Sequence, residues 1–358
     1  MTNWTTTTWK DVCSLKYGKA LKGYKHFDEN FPVYGSGGIL GSTQHPIAPA
    51  RSPIVARKGT LTVYWSKFAS HVIDTAFWLE PQDSLDAYWS YYALRNLDIS
   101  IFASGSGVPS ISRNDFYRGE LILPPLVDQK AIAHILSTLD DKIELNQKMS
   151  QTLDQIAKAI FKSWFVDFDP VKAKAEGRPT GLPPEISDLF PGELVDSKIG
   201  EIPKGWNLSD FDDLVKEYID NRGKTPPTEK SGIPLVEIKH IHPNSPFPNL
   251  NTDKYVSTET FESWFRGHVK KYDVLISTVG TIGLTSIVFN EKFAIAQNIL
   301  GFRFKYESLS TFMSYMIKSM YFQNQINARL IETVQKSIKR KDLSSIPVLL
   351  PDENLINR

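Results

Sequence analysis

Cysteine is almost absent from this chain. The one thiol, Cys13, among 358 residues excludes an intrachain disulfide and any cysteine-based zinc cluster. A reducing cytoplasm is the expected setting. No run of about 18 apolar residues occurs, so no membrane span is expected. The opening Met1-Thr2-Asn3-Trp4 has no basic segment leading into an apolar one, so no signal peptide is expected. Excess charge of one sign is also missing: the net is +1, which taken alone argues against a nucleic-acid partner. What is present is a folding composition, 41% apolar and 23% charged, which excludes general disorder. The length accommodates two medium domains and a connector.

The average charge hides an uneven distribution. Residues 1–80 carry a net of +4, residues 126–200 a net of −3, and residues 222–345 a net of +7. Two basic regions flank an acidic one, a pattern that favours a polyanionic partner. The same two regions are related in sequence. Ser110-Ile111-Ser112-Arg113-Asn114-Asp115-Phe116, followed by Leu121-Ile122-Leu123-Pro124, returns as Ser337-Ile338-Lys339-Arg340-Lys341-Asp342-Leu343 and Val348-Leu349-Leu350-Pro351, at an offset of 227 residues. The starts match as well: Trp4, Trp9, Asp11 and Val12 correspond to Trp206, Phe211, Asp213 and Leu214 at an offset of 202. A period this long means duplicated domains rather than a solenoid. The second copy is longer by 25 residues. Two related modules suggest a partner with two related sites.

Each module reads as mixed α/β. Residues 52–56 and 61–65 read as strands punctuated by glycine turns, and residues 86–96 as a helix. In the second module, 274–278 and 285–289 are the clearest strands, and a helix is expected from Ser310 to about Ile331. Between the modules the periodicity changes. Ile132, Leu136, Leu139, Ile143, Met149, Leu153, Ile156, Ile160 and Trp164 recur at spacings of three and four with one gap, an apolar stripe on a helix of about 60 Å. Asn146 falls in the gap, where a polar residue can fix register. Such a stripe needs a second helix, in the same chain or another. Prolines and glycines from Pro170 to Gly192 then mark a turn-rich stretch. By the repeat, Pro351 matches Pro124, so a second long helix is expected to begin there, and the sequence stops at Arg358.

The central stretch resembles the specificity (S) subunit of Type I restriction–modification systems. The resemblance rests on Leu123-Pro124-Pro125-Leu126 with Gln129-Lys130-Ala131-Ile132, and on Leu139-Asp140-Asp141-Lys142-Ile143-Glu144-Leu145-Asn146. It extends through Leu153-Asp154-Gln155-Ile156-Ala157, Ser163-Trp164-Phe165-Val166-Asp167-Phe168-Asp169-Pro170-Val171, Leu189-Phe190-Pro191 and Ile202-Pro203-Lys204-Gly205-Trp206. It implies an α+β fold: two similar mixed α/β target-recognition domains separated by a long central coiled-coil-type helix. The expected boundaries are 1–125 and 206–350 for the domains, 126–168 for the helix, 169–205 for the linker, and 351–358 for the start of a truncated second spacer helix. It also implies a bipartite double-stranded DNA site, two methyltransferase subunits acting on adenine N6 and docking on the helix, and motor–nuclease subunits. The S subunit has no catalytic residues, metal or cofactor of its own; S-adenosylmethionine, ATP and Mg²⁺ belong to its partners. The expected docking residues are Leu136, Leu139, Ile143, Asn146, Leu153 and Ile160. The missing distal helix suggests self-association through the unpaired seam.

Motifs for chemistry in the chain itself are weak. The Pro-Pro pairs at 124–125, 183–184 and 226–227 lack the flanking residues of an adenine-methyltransferase motif, and Gly223-Lys224-Thr225 lacks the spacing of a phosphate-binding loop. Glu237-Ile238-Lys239 with Asp220 upstream has the spacing of a Mg²⁺-dependent nuclease. It is an alternative reading, beside a truncated non-catalytic scaffold, but such triplets are common by chance and the first module has no equivalent, so a solvent-facing strand is the expected reading. His240 and His242 are expected to be exposed. For DNA contact the candidates are Ser110 and Arg113 in the first module and Lys336, Lys339, Arg340 and Lys341 in the second. The loop residues Arg57, Lys58 and Gly59, which resemble Val279-Gly280-Thr281, join them with Lys224. Cationic side chains neutralise phosphates, and a turn glycine lets the backbone approach closely.

Overall fold

The computed structural model describes residues 4–59, 61–104, 108–221, 223, 225–330 and 337–357. The chain divides into two compact units, Met1–Leu145 and Asn146–Arg358. Mixed helix and sheet content makes each an α+β unit.

In the first unit a four-stranded antiparallel sheet runs in the order Cys13–Tyr17, Ala76–Pro81, Ser52–Ala56, Val63–Ser66. The inner strand Ser52–Ala56 is buried along its whole length, as a short apolar run between turns requires. A second sheet of three short strands orders Gly38–Thr43, Phe31–Gly35, His71–Val72, the last pair parallel. The helix Ala87–Arg95 packs over the first sheet. Asp86 caps it, accepting from the backbone N–H groups of Tyr88 (3.0 Å) and Trp89 (2.8 Å). The core gathers Trp9, Leu15, Val55, Phe77, Leu79 and Leu94 around Ile111 and Phe116 of the repeated motif. Cys13 is buried there, and burial pushes its thiol up to about 12.

The second unit repeats the plan. Its four-stranded sheet orders Val215–Asp220, Ile299–Phe304, Val274–Ser277, Thr285–Ile287, and its three-stranded sheet orders Tyr255–Val256, Ile233–Val236, Ala294–Ile295, the last pair again parallel. In both units the opening strand pairs with the strand after the motif: Thr5–Thr8 with Glu120–Leu123, and Asn207–Asp210 with Pro347–Leu350. Phe31 and Ile233 begin matching strands at an offset of 202, Ser52 and Val274 at 222. Most of the insertion therefore lies between Val236 and Val274, where the helix Thr258–Trp264 sits.

The long helix runs Leu126–Phe165, 40 residues. Its N-terminal part packs into the first unit. Gln129 is fully buried and is held on three sides: its amide donates to the carbonyls of Ser84 (2.9 Å) and Pro124 (2.8 Å) and accepts from Asp86 N–H (2.8 Å). Tyr92 donates to Asp140 at 2.7 Å, and Lys67 pairs with Asp141 and Glu144. Its C-terminal part packs into the second unit through Phe161 and through buried Asp154, which accepts from the Tyr315 hydroxyl at 3.4 Å and pairs with Lys158 on its own helix.

Several expectations change in detail. The helix expected over 310–331 is two, Glu307–Lys318 and Met320–Arg329; Ile331 lies outside the described residues. Residues 169–205 are more than turns: they carry the helices Asp169–Ala175 and Pro184–Ser187 and the hairpin of Leu194–Ser197 with Gly200–Pro203. Val171, Phe190, Ile202 and Trp206 form a small core there. Beyond Pro351 one helical turn, Glu353–Ile356, is capped by Asp352. Among the described residues no helix is long and apolar enough to cross a membrane.

Candidate nucleic-acid interface

The repeated motif proves to be two kinds of residue interleaved. Ile111 and Phe116, like Ile338 and Leu343, are core. Ser112 caps the helix Arg113–Arg118, its hydroxyl accepting from Asp115 N–H at 3.0 Å. In the second unit Asp342 instead accepts from Lys339 N–H at 2.8 Å, ahead of the helix Arg340–Ser344. The acidic residue of the motif is thus spent on closing a helix start. The arginine between these fixed points is left exposed in both units.

The loop candidates meet the motif directly. Lys58 and Ser110 form an antiparallel bridge, flanked by Ile111 N–H donating to the Arg57 carbonyl (2.9 Å) and Gly59 N–H donating to the Pro109 carbonyl (3.2 Å). In the second unit Val279 and Ser337 form the same bridge, and Ile338 N–H donates to the Thr278 carbonyl at 3.0 Å. Gly59 and Gly280 follow the bridged residue, with φ of 77° and 73°, and a Cβ on either would meet nothing within 4 Å. These turns need glycine for their backbone conformation and present an open edge.

The residues that sequence reading missed are two tyrosines. The guanidinium of Arg113 lies 5.0 Å from the ring centroid of Tyr17, and that of Arg57 lies 5.3 Å from the same ring. Arg57 also donates to the carbonyl of Asp74 at 3.3 Å, while its Nε is buried with no hydrogen-bond partner. In the second unit Arg340 lies 3.5 Å from the ring centroid of Tyr218, with the Asp212 carboxylate 4.0 Å away. Tyr218 donates to Asp212, and burial pushes its phenol up to about 12. A guanidinium on an aromatic face is held by about 0.5–1 kcal/mol at an exposed site, and its N–H edge remains available to an anion.

The other candidates are more scattered. Lys58, Gly59, Lys339 and Lys341 are exposed. Lys224 and Lys336 lie outside the described residues. On the long helix Leu136 is half-buried, while Leu139, Ile143, Asn146, Leu153 and Ile160 are exposed.

The triplet Glu237-Ile238-Lys239 is not a solvent-facing strand: Ile238–His240 is a 3-10 helix. Lys239 pairs with Asp253 at 2.7 Å and Glu237 with Lys254 at 2.8 Å. Burial opposes ionisation of Glu237, but Lys254 and Lys239 prevail and hold its carboxyl below the usual range. His240 is buried rather than exposed, its Nδ1 accepting from Glu237 N–H at 2.9 Å. Among the described residues no group of three or more His, Cys, Asp or Glu is placed to hold a metal ion.

A family model described as Type I restriction modification DNA specificity domain matches residues 1–155 and 203–354. The chain is 31% identical over 233 residues to the Type I restriction enzyme HindI specificity subunit of Haemophilus influenzae, covering 52% of this chain and 50% of that protein. It is 26% identical over 309 residues to the putative type I restriction enzyme MjaX specificity subunit of Methanocaldococcus jannaschii, covering 82% and 64%. The chain spans about half the length of the curated relatives it matches over the best-aligned stretches. The S subunit of a Type I restriction–modification system from M. genitalium superposes with a TM-score of 0.56 over 100% of this chain and 87% of that one, at 18% identity, so the two share a fold. With the family model falling on both copies of the duplicated sheet plan, this chain belongs to the family of Type I restriction–modification DNA specificity domains.

Proposed function

We propose that this chain is the DNA-recognition component of a Type I restriction–modification complex, its two units each contacting one half of a bipartite duplex site. The observation that carries this reading is the recurrence, in both units, of an exposed motif arginine laid on a tyrosine beside an open glycine turn. The core and capping residues of the motif serve the fold, and the arginine is what remains for a ligand. The basic balance of residues 1–80 and 222–345, net +4 and +7, favours a polyanion.

In this reading the chain performs no bond-making of its own. Adenine-N6 methyltransferase subunits and a motor–nuclease subunit supply catalysis, together with S-adenosylmethionine, ATP and Mg²⁺. Their docking face is the exposed apolar stripe of the long helix, Leu139, Ile143, Leu153 and Ile160 with Asn146 among them. The same stripe would serve self-association.

The test is duplex binding by the chain assembled with its methyltransferase subunits, followed by fluorescence anisotropy across a salt series. The expected result is selective binding to a bipartite sequence, with affinity falling steeply as salt rises. Salt-insensitive binding, or none, overturns the reading.

A further inference from the structure

We propose that Tyr17 and Tyr218 are positioning residues that present arginines to phosphates of the DNA backbone, and that the two units do so unequally: two guanidiniums share one ring in the first unit, while a single guanidinium tempered by Asp212 serves the second. The inference rests on the DNA-binding reading above and deepens it.

Arg57 and Arg113 come from different parts of the first unit, yet both guanidiniums lie within 5.3 Å of the Tyr17 ring centroid. Two like charges gathered on one ring repel. Among the described residues no carboxylate is paired with either of them; the nearest acidic residue of the motif, Asp115, is engaged with Ser112 and Arg118. A bound anion would relieve that repulsion, and guanidiniums match phosphate oxygens with paired N–H groups. Tyr17 itself rests edge-on against Phe77, ring centroids 4.9 Å apart, so the platform is anchored in the sheet.

The arginine-on-tyrosine pair is shared, with Tyr17 and Tyr218 lying in the corresponding first strand of each four-stranded sheet. Around the pair the units differ: Arg57 carries the carbonyl that accepts from Ile111, where the second unit has Thr278, and Ser112 stands where the second unit has Lys339. A device common to two otherwise divergent units suits a feature common to all DNA, the phosphodiester backbone. Base reading suits the parts that differ. The Asp212 carboxylate beside Arg340 offsets part of that guanidinium's charge, so Arg340 itself should grip phosphate less than the first-unit pair does.

The experiment uses the full chain with its methyltransferase subunits and a fluorescein-labelled duplex of mixed sequence, titrated at several salt concentrations. The variants are Arg113→Gln, Arg57→Gln with Arg113→Gln, Arg340→Gln, and Phe or Leu in place of Tyr17 and of Tyr218. Removing both first-unit arginines should flatten the plot of log affinity against log salt by about one to two phosphate contacts, at roughly 0.9 each. Arg340→Gln should flatten it less. Tyr17→Phe keeps the ring and should leave binding unchanged, whereas Tyr17→Leu should weaken it about twofold to fivefold. Arg113 is exposed, so Arg113→Gln carries the test even where a Tyr17 or Arg57 variant disturbs the sheet. Unchanged slopes in the arginine variants, or equal losses in Tyr17→Phe and Tyr17→Leu, overturn this inference while leaving the DNA-binding reading intact. An unsubstituted complex that binds no duplex overturns that reading itself, and this inference with it.

Discussion

Asp273 has almost no contact with solvent, yet its carboxylate is fully engaged. It accepts from Arg303 Nε at 3.0 Å and Nη2 at 2.8 Å, and from Lys270 N–H at 2.7 Å. Arg303 is itself largely covered and also pairs with Glu217. Breaking one side of such a pair leaves an uncompensated buried charge, which costs more than the pair contributes over a neutral substitute. Asp273→Ala should therefore destabilise the second unit by about 3–5 kcal/mol, read by urea denaturation; a loss under about 1 kcal/mol, the range of an exposed pair, would refute the assignment. Asp273 carries no sequence signal, because one acidic residue among many looks alike until burial is known. Arg113 and Arg340 were legible for the opposite reason: they share the 227-residue offset of the motif. Their tyrosines were not. Tyr17 and Tyr218 are 201 residues apart, matching neither offset of the repeat, and the strand Val215–Asp220 shifts register between Val215 and Glu217. A bulge adds a residue to the second copy and so lengthens the offset rather than shortening it; the two rings stand at different positions along their strands, and no single offset pairs them.

At the level of elements, the long helix was legible over nearly its whole length because a 3.6-residue period sustained for about ten turns has no competing explanation. The helix expected over 310–331 was read too long, and the reason is a single serine. Ser319 takes an extended conformation (ψ 152°) and its hydroxyl accepts from Phe322 N–H at 3.3 Å, so it ends one helix and caps the next. Serine inside an apolar period is ambiguous between a tolerated interior residue and a cap. Just before that break, Lys318 faces the long helix, and burial lowers its ammonium to about 8, with Asp154 raising it and Lys158 lowering it. The ordinary value is 10.5, so between these pH values the unfolded chain holds a proton that the folded chain has released. Stability should then rise with pH from about 8 to 10.5. The contribution is complete above the unfolded value and is lost as pH falls through the folded one. Denaturation of wild type and Lys318→Met across this window should show the rise shrinking in the variant. Parallel pH profiles would remove Lys318 as its source.

At the scale of the whole molecule, the duplication gives two units that each bury a core, one around Phe77, Trp9 and Phe116, the other around Phe302, Phe211 and Phe322. Each core is closed by its own copy of the motif and by its own stretch of the long helix, Ala133 on one side and Phe161 on the other. The two stretches are secured by different means. In the first unit the tie is polar, Gln129 serving three backbone partners at once. In the second it is mainly aromatic, with Phe161 against Phe312 at 5.2 Å between ring centroids. Because each unit carries a complete set of contacts, unfolding should depart from a single two-state transition. Gln129→Ala leaves the carbonyls of Ser84 and Pro124 and the N–H of Asp86 without their partner, a loss of about 2–3 kcal/mol in total. Scanning calorimetry should resolve two overlapping transitions, with Gln129→Ala lowering one and Asp273→Ala lowering the other. If either substitution moves the whole profile together, the two units unfold as one cooperative body, and the helix couples their stabilities instead of merely belonging to both.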